Sequence, residues 1–134
     1  MKIMIDTNVL ISALAFPNST PAKAVEKIIQ DGHEVALCDQ IVSELIKVVE
    51  LKFPTKMHVL KDFLENFNYT LFRTPKVLNG SEYPVVRDES DLPILVCAID
   101  NSIEILVSGD KDLLSIQNCE RLKILSPAEV LQKL

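Results

Sequence analysis

Five short runs rich in apolar residues punctuate the chain, and between them apolar positions recur every three or four residues. Short unbroken apolar runs suit strands buried on both faces, whereas the wider spacing suits amphipathic helices. The strands expected are Ile3 to Ile5, Glu34 to Cys38, Tyr69 to Phe72, Glu104 to Val107 and Leu122 to Leu125. The first helical stretch is Val9 to Leu14. Thr20-Pro21 then reads as an N-cap followed by proline at the first helical position, with Ala24, Val25, Ile28 and Ile29 forming a stripe that Gly32 ends. Asp39 reads as the N-cap of a helix carrying Ile41, Leu45, Val48 and Val49, and Val59, Leu60, Phe63, Leu64 and Phe67 mark the next. A helix runs from Leu92 to Ile99, and Ser126-Pro127 caps a closing helix through Leu134. Strands and helices alternate throughout. The expected fold is therefore α/β, a three-layer sandwich with a central, mostly parallel sheet flanked by helices.

At 134 residues, 48% of them hydrophobic and only three of them glycine, the chain suits one compact domain spanning residues 1–134. Cys38, Cys97 and Cys119 lie far apart in apolar surroundings, without metal-ligand spacing, and read as small core residues in a reducing compartment. No signal peptide precedes the first strand and no apolar run is long enough to span a bilayer, so the expected location is the cytoplasm and no membrane is expected as a partner. A net charge of -5 argues against a broad basic face for non-specific nucleic-acid binding. It leaves room for a nucleic-acid enzyme, because carboxylates that gather metal ions make the total negative while the ions reverse the local field.

The acids have a pattern of their own. The first strand stops at Asp6-Thr7-Asn8, and Ile105-Leu106-Val107 stops at Ser108-Gly109-Asp110, where Gly109 suits a tight turn. Asp91 opens an apolar helix after the long irregular stretch Thr74 to Ser90, and Glu44 sits at the edge of its helix stripe near the amino end. Each of these acids also has a bland reading as a helix cap or a solvated side chain. Capping does not account for Asp88, Glu89 and Asp91 within four positions, which repel one another unless a cation compensates. In a parallel sheet with right-handed crossovers, the carboxyl ends of strands and the amino ends of the following helices share one rim. Asp6, Asp91 and Asp110 should converge there, with Glu44 able to join them and Asp88 and Asp112 flanking. Oxygen ligands without histidine or cysteine suit Mg²⁺ or Mn²⁺, ions that activate water for attack on a phosphodiester. His33 and His58 read as loop and surface residues. A phosphoryl-transfer enzyme of the haloacid dehalogenase type, with Asp6 as nucleophile, would want an acid at the position of Asn8. A non-catalytic α/β binding module would carry the same acids without cleaving RNA.

Taken in order, Asp6-Thr7-Asn8 after the first strand, Glu44, Asp91 before its apolar helix and Ser108-Gly109-Asp110-Lys111-Asp112-Leu113 after the fourth strand resemble the PIN domain, over nearly the whole chain. The small size is similar to that of the stand-alone prokaryotic members regarded as toxins of toxin–antitoxin pairs. The resemblance implies a metal-dependent endoribonuclease that hydrolyses RNA, in which Asp6, Glu44, Asp91 and Asp110 surround one or two Mg²⁺ or Mn²⁺ ions. Asp112 matches a position that often adds a further acidic ligand. Thr7, Asn8 and Ser108 would orient the acids by hydrogen bonds. A partner antitoxin and a homodimer are implied as well. Glu89-Ser90 and the nearness of Pro93 depart from the family pattern and leave Asp88 and Asp91 as alternatives for the third ligand, of which Asp91 is favoured by its place before the helix. Lys47, Lys52, Lys56, Arg73, Lys76 and Lys111 are candidates for phosphate contacts.

Overall fold

A computed structural model describes residues 1–74, 91–116 and 122–134. In chain order the elements are β1 (Lys2–Ile5), α1 (Thr7–Ala15), α2 (Thr20–Gln30), β2 (Glu34–Cys38), α3 (Asp39–Lys52), a 3₁₀ turn (Pro54–Lys56), α4 (Met57–Asn66), β3 (Tyr69–Phe72), α5 (Leu92–Asp100), β4 (Ile105–Val107), α6 (Lys111–Leu114), β5 (Lys123–Leu125) and α7 (Pro127–Lys133). The five strands form one sheet in the order β3-β2-β1-β4-β5, and all four pairings are parallel. This is the α/β sandwich that the alternation of elements predicts.

The order explains where a site can form. From β1 the chain steps outward to β2 and then β3, returns across β1, and steps outward again through β4 to β5. The direction of winding therefore reverses between β1 and β4. At such a point the connections leave in opposite directions, and a crevice opens beyond the carboxyl ends of the two strands. β1 and β4 meet in register with Ile3 opposite Ile105, Met4 opposite Leu106 and Ile5 opposite Val107. Met4, Ile5, Leu106 and Val107 are completely buried, as strands covered by helices on both faces must be. Their burial anchors the two strand ends from which Asp6 and Ser108 emerge.

The caps reveal where local expectation and structure part. The capping residue of α2 is Ser19, whose hydroxyl accepts from Ala22 N at 3.3 Å, so Pro21 is the second helical residue and Thr20 the first. Asp39 does not cap α3 but begins it, Cys38 standing in the capping position without a side-chain bond. The Asp39 carboxylate instead takes the N–H of Thr74 at 2.8 Å and the Thr74 hydroxyl. A long-range partner has outcompeted the local cap. Gly109 has no left-handed backbone, and a Cβ there would meet nothing within 4 Å. The turn it was expected to permit is made instead by Ser108, whose Oγ accepts from Asp110 N at 3.0 Å. Ser126 behaves as the pattern predicts: it forms a reciprocal capping box with Glu129. Cys38 and Cys97 are buried core thiols, while Cys119 lies outside the described residues. Among the described residues no helix is long and apolar enough to cross a membrane.

Because Leu106 is fully buried in the strand beside β1, truncating it leaves a cavity under the switch point. Leu106→Ala should lower the free energy of unfolding by about 2–5 kcal/mol in urea denaturation. A loss well below that range would mean that the sheet centre is not packed as described.

Candidate active site at the carboxyl ends of the strands

Asp6 lies where β1 ends, 5% exposed, and its backbone is drawn into the sheet by a bond from Asp6 N to Val107 O at 2.9 Å. Its carboxylate caps α1, Oδ1 accepting from Thr7 N at 2.8 Å. Oδ2 accepts from the hydroxyl of Ser108, which is completely buried at the end of β4, at 2.9 Å. The bland capping role and the convergence of strand ends are thus both present in one side chain. Asp110 repeats the device at α6, its Oδ1 accepting from Asp112 N at 2.9 Å.

Glu44 reaches the same pocket from α3. Its half-buried carboxylate accepts from Thr7 Oγ1 at 2.9 Å on Oε2 and from Gln40 Nε2 at 3.0 Å on Oε1. Thr7 therefore ties two acids together: its N–H serves Asp6 and its hydroxyl serves Glu44. Burial pushes the Asp6 carboxyl above its ordinary range. The bonds from Ser108 and Thr7 pull the other way, and the charges of Glu44 and Asp110 add to the rise. Two acids from distant parts of the chain, Glu44 and Asp110, thus act on the Asp6 carboxyl.

Asp91 stands at the head of α5 with one carboxylate oxygen, Oδ2, buried, and it makes no capping bond to that helix. Asn8 is exposed on the first turn of α1, and among the described residues no hydrogen bond joins it to the acids. Asp112 is half-buried in the first turn of α6. Asp88, Glu89, Ser90 and Lys76 lie outside the described residues. Gln40 was not expected at all, because a polar residue in the first turn of a helix reads as solvated. Of the basic candidates, Arg73 lies past the carboxyl end of β3 and Lys111 directly follows Asp110, both exposed. Lys47 is in mid-helix, and Lys52 and Lys56 sit beyond it, where α3 has run back toward the opposite end of the sheet.

The donor set is all oxygen, which fits a hard divalent cation and not zinc. Among the described residues no three acidic, histidine or cysteine side chains are assembled into a group able to hold an ion. Mg²⁺ is not usually held in an all-protein cage; it keeps several waters and takes one or two carboxylates plus substrate phosphate. The chemistry of the pocket therefore fits such an ion, with water and phosphate completing its shell.

In open parallel α/β sheets the crevice at the switch point is where ligands bind, and here Asp6 and Asp110 stand at that rim. Residues 2–112 match the PIN domain family, and the chain belongs to it. It is 29% identical over 148 residues to the uncharacterized protein MJ1680 of Methanocaldococcus jannaschii, an alignment covering 99% of this chain and 91% of that protein. Among solved structures it is similar to VapBC2 of Rickettsia felis bound to a DNA fragment from their promoter. There the TM-score is 0.69 at 17% identity, over 94% of this chain and 98% of that one. At that identity the likeness is one of fold.

The raised Asp6 carboxyl has a consequence for stability. Between the ordinary value of 3.8 and its higher folded value, the folded protein binds more protons than the unfolded chain. Stability of the metal-free protein attributable to Asp6 is therefore full below 3.8 and is lost as pH rises through the folded value. In EDTA, urea denaturation across a pH series should show Asp6→Asn gaining on the wild type as pH rises above 3.8 and levelling once the folded carboxyl has ionised. A difference that does not change with pH would contradict the buried, repelled carboxylate.

Proposed function

We propose that this protein is a divalent-metal-dependent endoribonuclease that hydrolyses RNA phosphodiester bonds and acts as the toxin of a type II toxin–antitoxin pair. The whole of residues 1–134 would be one nuclease domain in this reading. Asp6, Glu44, Asp91 and Asp110 are its acids, with Asp112 as an additional ligand of one or two Mg²⁺ or Mn²⁺ ions. The observation that carries the proposal is the buried Asp6 carboxylate, held by Thr7 and Ser108 and facing the charges of Glu44 and Asp110. Membership of the PIN domain family supports it, and the fold shared with VapBC2 supports an antitoxin partner. A homodimer in the cytoplasm completes the proposal.

Asp6, Glu44, Asp91 and Asp110 would hold the ion, which would make an attacking water more acidic and ease negative charge on the phosphate and the departing oxygen. The protein's own side chains fix the acids. Thr7 and Ser108 each occupy one acceptor position on an Asp6 oxygen, and each of those oxygens keeps a further lone pair for a ligand. Thr7 and Gln40 do the same for the two oxygens of Glu44. Hydrolysis adds the water oxygen to phosphorus and breaks one phosphorus–oxygen bond, the water's protons passing to the leaving oxygen and to solvent. Arg73 and Lys111, exposed on the rim, would be the candidates for contact with the RNA backbone. An aspartyl-phosphate route through Asp6 is disfavoured. The acid that such a route needs two residues on is Asn8.

Single-stranded RNA incubated with Mn²⁺ should be cut by the wild-type protein. Asp6→Asn and Asp110→Asn should each reduce cleavage by more than the roughly 10–100-fold that loss of an outer hydrogen-bond partner costs at a metal site, with circular dichroism unchanged. Undiminished cleavage in both variants would refute the assignment.

A further inference from the structure

Resting on the cation reading just given, we infer that Gln40 is a positioning residue that fixes the Glu44 carboxylate in the acidic pocket. The bland alternative is an ordinary helix-surface pair, since residues four apart are neighbours on any helix. The chain supplies examples of that kind in Gln30 with Glu26 at 3.5 Å and Asn66 with Asp62 at 2.7 Å, both exposed. Gln40 and Glu44 differ from them in two respects.

First, their bond is partly buried, and its acceptor is shared with another element. Glu44 is gripped on Oε2 by Thr7 of α1 and on Oε1 by Gln40 of α3, so neither oxygen is free to swing. A glutamate with three rotatable bonds is otherwise a poor way to hold a carboxylate beside another of the same sign. Second, Gln40 is itself anchored from outside its helix. Its backbone N–H donates to Thr74 Oγ1 at 3.1 Å, and the Thr74 hydroxyl and N–H in turn donate to Asp39. The first turn of α3 is thereby clamped to the end of β3. A continuous series of hydrogen bonds runs along the rim from Asp6 through Thr7, Glu44 and Gln40 to Thr74.

The amide is suited to this place by its chemistry. It donates to a carboxylate without cancelling its charge, whereas lysine or arginine would neutralise Glu44 and compete with a cation, and an acid would add to the repulsion. Outer hydrogen-bond partners of metal-ligating carboxylates act in this manner, setting orientation without touching the ion.

The experiment is a Mn²⁺ titration of the full chain followed by electron paramagnetic resonance, which reads free Mn²⁺ without reference to RNA cleavage. Gln40→Met keeps the length and helix propensity of the side chain and removes its donors. It should bind Mn²⁺ about 10–100-fold more weakly than the wild type, with its far-ultraviolet circular dichroism in EDTA unchanged, and Gln30→Met should bind as the wild type does. Equal Mn²⁺ affinity in Gln40→Met and wild type overturns the inference and leaves the nuclease reading standing. A wild-type protein that binds no Mn²⁺ overturns both. Should Gln40→Met fail to fold, the side-chain NH₂ resonances of Gln40 in the wild type decide the matter. They should shift when Mg²⁺ is added and should not in Glu44→Gln, and resonances indifferent to Mg²⁺ in the wild type overturn the inference.

Discussion

The molecule is built around a carboxylate placed where water is scarce. Asp6 emerges from the centre of a sheet whose inner strands are buried at their carboxyl ends, at the point where the winding reverses. Removing a carboxylate from water costs several kcal/mol even after the protein relaxes. A hydrogen bond to a charged group returns about 1.5–3 kcal/mol. Two such bonds, from Thr7 and Ser108, bring the terms to rough balance, and the upward displacement of the Asp6 carboxyl says that burial still wins. Glu44 and Asp110 then add repulsion to a group that is already costly. An arrangement of this kind is destabilising in an empty protein and becomes favourable when a cation enters, which is the physical content of the proposed function.

The fold was largely legible from the order of apolar runs, because a strand covered on both faces must be apolar along its length and a helix on a sheet must show a stripe. All five strands and six of the seven α-helices among the described residues fall where those patterns place them, while the short α6 (Lys111–Leu114) carried too few residues to show a stripe and was not expected. The rim was legible for the same reason: parallel strands put every strand-terminal residue on one side. Less of the pocket could be read, because periodicity fixes which way a backbone faces and says nothing about rotamers. Asp39 had every sign of a cap, yet its carboxylate turned to Thr74, thirty-five residues away. Gly109 looked necessary for a turn that Ser108 makes with its hydroxyl. Gln40 carried no signal beyond being four residues before a glutamate, a spacing that usually means only a solvated pair.

Thr7 shows why such contacts escape a reading of the sequence and yet organise the pocket. In the chain it is one small polar residue after an acid, ordinary in any first helical turn. In the fold its N–H and its hydroxyl act on different carboxylates, Asp6 and Glu44, which lie thirty-eight positions apart. That double role requires β1 to deliver the start of α1 against the second turn of α3. Packing of the sheet is therefore a condition of the site's electrostatics as well as of stability.

Capping and function have often to be weighed against each other when an acid begins a helix, and here the two are the same arrangement. Asp6 caps α1 and Asp110 caps α6, each with one oxygen, and the caps fix the carboxylates as rigidly as the helices themselves. The free N–H groups of a helix start also carry partial positive charge, which eases the presence of an anion there by about 0.3–1 kcal/mol. Two capping acids can thus be held near a third with less repulsion than three solvated carboxylates would need. Glu44 has no helix start to lean on, being in the second turn of α3. Its place must be fixed by side chains instead, and the two that do so, Thr7 and Gln40, are those the structure supplies.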